Sequence, residues 1–461
     1  MTRWLTTLLV TLAAVAPSAQ IALTEATCRT NGEFTDGPPA PTVPNGHIAW
    51  PADDPVWEFD LYRPGNRTTA NGTGLELRDV RYQGRLVFAR ASVPVLNVEY
   101  DEGGCGCFRD WMTNEAPIEP GDGAQIELEC FAESEPGDVI TACEANERSS
   151  NPGGDAGDFF GVTVEDYGTE LVLTGHAKAG WYRYRMKWHF YADGRVWPEF
   201  SFAAAQAICT SVAHRHHAYW RFDFDLGGTP ADDVIRRIDA TGGTVLTSEA
   251  EFALNGTSDE TVWSITDPTG IGYRIEPGEA DRRLPVDDFS KTDVLVLRYR
   301  VDEIDDGMLA TDGENACAFA YEPFLNDESL DGEDTVLWYR SGALHAAGSP
   351  FECDIVGPML RPFGFITEVE PRPGAVEFEA PRPNPTASGS AVRFRVERTQ
   401  PVTAELYDTS GRRLAVLFDG LAVAGAWTTV QVDGADLPPG TYVVRVVGET
   451  IEGTTRLTVV R

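Results

Sequence analysis

A chain of 461 residues with 72 Asp and Glu against 37 Lys and Arg carries a formal charge of −35. Such a surface repels a phosphate backbone, which argues against nucleic acid as a partner, and only three of its cations are Lys (Lys178, Lys187, Lys291). At this length two or three domains are expected, each able to bury a sizeable core.

In chain order, residues 1–20 read as a secretory signal, with Arg3 ahead of the apolar run Leu5 to Val15 and the small-residue exit Ala16-Pro17-Ser18-Ala19. The run is too short to span a bilayer, and no later segment is long and apolar enough to do so. Residues 21–74 are rich in Pro, Gly and Thr and read as an extended N-terminal segment with a strand or two near Trp57–Tyr62. From Leu75 the pattern is strongly β. Leu75–Tyr82, Arg85–Ala91 and Val93–Tyr100 alternate or are β-branched, and 103–158 is heavy in loop residues. Trp181–Tyr191 and Arg195–Ala203 form a hairpin across Ala192-Asp193-Gly194. Further strands fall at 243–254, 261–266, 271–276, 293–301, 336–340 and 360–365. No long helical period exists to carry a parallel crossover, so 75–365 is expected to be a large antiparallel β-sandwich. Residues 366–382 read as a Pro-rich linker, and 383–461 as a small immunoglobulin-like β-sandwich. The fold class is all-β.

Eight Cys at 28, 105, 107, 130, 143, 209, 317 and 353 point to disulfides in an exported chain and leave their pairing open. The densest chemistry is in Ala213-His214-Arg215-His216-His217-Ala218-Tyr219-Trp220-Arg221-Phe222-Asp223, which holds three of the chain's seven His. On a strand, residues two apart share a face, so His214 and His216 present two imidazoles side by side and His217 points the other way. Two such imidazoles make part of a copper or zinc site, or a polar face that merely hydrogen-bonds. His176, His189 and His345 are the candidates for a third nitrogen. Ligands sharing one ion need nitrogens roughly 3–4 Å apart.

Four ordered segments resemble the catalytic domain of copper amine oxidases. They are Gly84–Ser92 with Val98-Glu99-Tyr100-Asp101, Trp181–Gly194 with its Tyr-x-Tyr-x-x-x-Trp spacing, His214-Arg215-His216 followed by Arg221 and Asp223, and Leu337–His345 with Val356–Gly364. The resemblance implies a copper held by His214, His216 and His345. It also implies a quinone made from Tyr182 with copper and O₂, and oxidation of a small primary amine to an aldehyde. Tyr184 shares the face of Tyr182 and is the second cofactor-binding candidate. Asp110, in Cys107-Phe108-Arg109-Asp110-Trp111, is the candidate base, with Asp101 and Glu115 as alternatives. A homodimer is implied as well. The chain departs from the family beside Tyr182, where Trp181 and Arg183 replace an Asn and an acid, and it lacks the family's Asp-x-Gly-Glu-Tyr-Gly run. Two other readings therefore stay open: a copper-binding protein of this fold without a quinone, and a surface binding or adhesion protein.

The last unit resembles the C-terminal sorting domain of the type IX secretion system. The resemblance rests on Pro383-Asn384-Pro385, Ala404-Glu405-Leu406-Tyr407-Asp408, Gly411-Arg412-Arg413 and Leu437-Pro438-Pro439-Gly440-Thr441-Tyr442. It implies that secretion machinery as a partner and a secreted or cell-surface location after periplasmic passage.

Overall fold

A computed structural model describes residues 21–25, 44–63, 73–101, 105–110, 115–121, 124–128, 131–148, 156–204, 209–283, 286, 290–300, 303, 321–348 and 355–365 of the first of two compact units, Met1–Phe365. In the second, Ile366–Arg461, it describes 374–375, 377–386, 388–396, 399–408, 413–423, 425–434, 437–448 and 451–460. Residues 1–20, expected as a secretory signal, Cys28, Cys130, Cys317, Cys353 and residues 366–373 of the expected linker lie outside the described residues.

The first unit is built on two large sheets, in keeping with the all-β expectation. The ten-stranded sheet runs Ala22–Glu25, Gly46–Trp50, Trp57–Tyr62, Thr73–Tyr82, Arg85–Tyr100, His214–Phe224, Thr335–His345, Val294–Arg298 and Ala250–Phe252, with Cys107–Asp110 paired beside Arg85–Tyr100. The eleven-stranded sheet has Met359–Phe363, Val196–Ala204, Tyr182–Tyr191, Glu170–Ala179 and Val162–Asp166 as successive neighbours. Pairing in both is antiparallel except between Phe131–Ser134 and Val162–Asp166. Residues 21–74 are more than an extended entry segment. Three of their stretches are strands, and Trp57 and Phe59 pack on Phe190 of the other sheet at ring-centroid distances of 4.9 and 4.6 Å.

Strand alternation makes the core. Along Tyr182–Tyr191 the residues Tyr182, Tyr184, Met186, Trp188 and Phe190 are buried in the main cluster with Leu96, Val98, Tyr100, Ala218, Trp220 and Phe222. Trp188 meets Trp220 edge to face at 5.2 Å. Each such aromatic withdraws a large apolar area from water, worth roughly 1.5–3 kcal/mol per side chain. The expected hairpin forms, with Phe190 opposite Val196. Gly194 turns at φ +90°, where a Cβ would lie 2.6 Å from the Tyr82 ring, so the turn needs glycine.

The other face of the same strand carries Arg183, Arg185 and His189, which are also buried. Helix Ala142–Arg148 belongs to this unit and opens with a reciprocal cap. The Glu144 amide donates to Thr141 Oγ1 at 3.2 Å, and the Thr141 amide to Glu144 Oε2 at 2.7 Å. A disulfide joins Cys105 to Cys209 across 104 residues, and Cys107 and Cys143 are disulfide-bonded as well.

The second unit is a smaller two-sheet structure with its own core of Val392, Phe394, Val402, Leu406, Val430, Val444 and Leu457. One sheet runs Gly374–Ala375, Ile451–Val459, Gly440–Gly448, Gln400–Asp408 and Arg413–Ala422; the other holds Glu377–Arg382, Gly389–Arg395 and Thr428–Asp433. Glu377–Arg382, expected as the end of a linker, is thus a strand. It pairs with Gly389–Arg395, which places Phe378 opposite Phe394.

Candidate metal centre and its tyrosines

The His214–Phe224 strand lies between two others. His214 stands opposite Tyr100 on one side and His345 on the other, and His216 lies opposite Val98 and Ala343. The strand expected at 336–340 runs on to His345, and that extension brings the third imidazole across. His214 and His216 are fully buried and His345 nearly so. Ring centroids are 4.8 Å apart for His214–His345 and 5.3 Å for His214–His216. The opposite sheet supplies Tyr182 and Tyr184, which stack on each other at 5.7 Å. Tyr182 lies 4.6 Å from the His216 ring and 5.6 Å from that of His214.

Hydrogen bonds fix the imidazoles. His214 Nδ1 donates to the Val212 carbonyl at 2.7 Å; a carbonyl only accepts, so Nδ1 holds the proton and Nε2 the lone pair. His216 Nδ1 is 3.2 Å from the Tyr184 hydroxyl, while its Nε2 is buried with no hydrogen-bond partner. Burial, helped by the neighbouring imidazoles, pushes the His216 pKa well below its ordinary value. Burial also lowers His214 to about 4, against the bond to Val212. Both rings are therefore neutral at neutral pH, the form that ligates metal.

Three buried imidazoles on adjacent strands suit copper or zinc in donor type. Their donor nitrogens do not all lie within 4.8 Å of one another, so they fall short of the roughly 3–4 Å expectation. Among the described residues, the trio with donor atoms all within 4.8 Å of one another is Asp223, Asp225 and Asp334. The rings are neighbours, but their donor nitrogens are not closed around one point.

The other candidates divide. Tyr182 is buried, and its hydroxyl is 2.7 Å from that of Tyr100, a residue with no assigned role in the sequence reading. Trp181 lies 6.2 Å from the Tyr182 ring, tilted against it. Arg183 faces away from the imidazoles and donates to the Tyr182 carbonyl at 3.0 Å, so this departure from the family pattern sits behind the strand. Asp110 closes the Cys107–Asp110 strand opposite Leu96, and its side chain, like Trp111, lies outside the described residues. Asp101 pairs with Arg215 at 2.5 Å, and Glu115 takes both a 2.9 Å bond and a second, shorter one from Arg63. Those ion pairs occupy both alternatives for the base. His217 bonds Asn97 on the far face at 3.0 Å. His189 lies between Glu170 and Glu199 at 2.6 and 3.0 Å. Neither belongs to the imidazole cluster.

The Asp trio sits at the other end of the two His-bearing strands. Arg221 donates to Asp223 at 3.0 Å. Burial, reinforced by Asp223, raises Asp225 to about 7 and Asp334 to about 6. Such a set of oxygens is relieved either by protons or by a hard divalent cation. The sequence signal was Asp223-x-Asp225 on one strand face; Asp334 is too far along the chain to be paired with it by eye.

No family model matches the chain. It is similar to the copper-containing amine oxidase 3 of Bos taurus, 26% identical over an alignment of 225 residues that covers 39% of this chain and 30% of the bovine one. Among solved structures it is similar to an amine oxidase of Aspergillus nidulans, with a TM-score of 0.50 and 16% identity over 75% of this chain and 56% of that one. It is also similar to a copper-containing benzylamine oxidase of Hansenula polymorpha, with a TM-score of 0.50 and 15% identity over 74% and 63% of the two chains. The chain thus spans under a third of its curated relative and a little over half of these structures. Its β-sandwich is of the copper amine oxidase kind.

Proposed function

We propose that this chain is an exported copper-dependent primary-amine oxidase whose quinone is made from Tyr182. The observation that carries the reading is the meeting of Tyr182, from one sheet, with His214, His216 and His345, from the other, in a single buried cluster. His214, His216 and His345 would hold the copper. Copper and O₂ would supply the oxidation of Tyr182, and the quinone would supply the electron sink that takes an amine to an aldehyde.

The chain's own residues prepare this chemistry. Tyr184 orients His216 through Nδ1, and the Val212 carbonyl keeps the His214 lone pair on Nε2. Tyr100 holds the Tyr182 hydroxyl, and Phe202, 3.7 Å from His216, keeps bulk water from the imidazoles. Asp110 is assigned the proton transfer from substrate. Export, a cell-surface or secreted destination, delivery by the type IX machinery through residues 383–461 and a homodimer complete the proposal. The disulfide chemistry supports an oxidising location.

The test is aerobic copper loading, followed by quinone staining and mass analysis of the Tyr182 peptide, with Tyr182→Phe as the control. The reading expects one copper per chain and an oxidised Tyr182. Bound copper over an unmodified Tyr182 would replace it with a copper-binding protein of this fold without a quinone, the reading favoured by Trp181 and Arg183. No bound copper would leave a binding or adhesion protein.

A further inference from the structure

We infer that the Cys105–Cys209 disulfide is a positioning device for the metal centre, setting the tautomer of His214; this rests on the copper reading above. Cys209 opens the one-turn segment Cys209–Ser211, five residues before His214. Its carbonyl accepts from the Val212 amide at 3.3 Å, and the Val212 carbonyl in turn accepts from His214 Nδ1 at 2.7 Å. The same turn is tied to the chain just past His345, where the Gly348 amide donates to the Ser211 carbonyl at 3.1 Å. On the other side, the Asp101 amide donates to the Ala213 carbonyl at 2.9 Å, beside Tyr100, whose hydroxyl meets Tyr182.

Three chain segments thus converge on the turn at 209–213. They are the end of the Tyr100 strand, the entry to the His214 strand and the exit from the His345 strand. Regular ladder pairing does not hold the turn itself. The bond to Cys105, which packs against the main core, adds a covalent anchor to those hydrogen bonds.

With that anchor, the Val212 carbonyl stays under Nδ1 and the His214 lone pair stays on Nε2, on the side of the ring away from Val212. Without it, the 209–212 turn is held by non-covalent contacts alone and can shift, the carbonyl leaves Nδ1 and both tautomers of a neutral imidazole become accessible. The ladder from His214 through Asp223 to the neighbouring strands is unaffected, so the sandwich stays intact while the ligand loses its preset orientation. The centre is therefore completed only once this disulfide has formed.

The experiment compares oxidised wild type with Cys105→Ala/Cys209→Val, which keeps the packing apolar. Folding is checked by near-ultraviolet circular dichroism. Nitrogen-15 NMR of the His rings in metal-free protein should give His214 as the Nδ1–H tautomer in wild type and a mixture in the variant. Copper affinity should fall about 10- to 100-fold, the range seen when a group orienting a ligand is lost, with an altered copper EPR spectrum. An unchanged His214 tautomer in a folded variant overturns the inference, whether or not copper binds. If the variant fails to fold, His214 found as Nε2–H in oxidised wild type overturns it. Absence of copper binding in wild type contradicts the copper reading instead and leaves the tautomer result to decide this one.

Discussion

The two faces of the Tyr182–Tyr191 strand handle buried histidine in opposite ways. On the inner face, His216 meets Tyr182, Tyr184 and Phe202 and, among the described residues, has no carboxylate against it, so burial pushes its pKa down and it stays neutral. On the outer face, burial again opposes charge on His189, but the bonds to Glu170 and Glu199 outweigh it and the pKa rises. Burial is common to both; the partners set the sign. A neutral ring offers a lone pair to a metal, whereas a ring with both nitrogens bonded to carboxylates offers none. The difference separates a ligand from a structural cross-link without reference to sequence spacing.

The largest expected effect breaks this comparison directly. His216→Ala should lower copper affinity by more than the roughly 10- to 100-fold that loss of a supporting group costs, while His189→Ala should leave it unchanged in a copper competition titration. Next is the clamp. His189→Gln should cost about 1–3 kcal/mol in urea unfolding near pH 6, as expected for buried hydrogen bonds to charged groups. A raised folded pKa contributes stability that is complete below the unfolded value of 6.5 and is lost as pH rises through the folded one. The gap between wild type and variant should therefore narrow as the pH climbs past that point.

The smallest effect concerns the far end of the His strand, where like charges meet. Asp225 is raised from 3.8 to about 7, so between those values the folded state holds a proton that the unfolded state has released, and stability falls as pH rises. In chelator, Asp225→Asn should flatten the decline in melting temperature across that window. An equally steep decline in the variant would remove Asp225 from the account.

Much of this was legible from local pattern. Period-two alternation placed His214 and His216 on one face, and Asp193-Gly194 marked the hairpin that carries Tyr182. The all-β class followed from the absence of helical period. What escaped depends on contacts between sheets or across long separations. Tyr100 matters because its hydroxyl reaches Tyr182, 82 residues on and in the opposite sheet. Trp57 and Phe59 looked like entry-segment residues because their partner, Phe190, lies in the opposite sheet. Glu115 looked like a spare carboxylate until Arg63 was found against it. Strand ends were short at His345 because the polar and small residues Ser341-Gly342-Ala343 weaken a propensity signal that pairing with His214–Ala218 overrides.

The most direct test of the central claim is a crystal structure of the copper-loaded protein with anomalous data at the copper edge. The account predicts one strong peak bounded by His214, His216 and His345, with a donor nitrogen of each ring brought to roughly 3–4 Å from the others. Copper absent from that position, or held only at Asp223, Asp225 and Asp334, would contradict it.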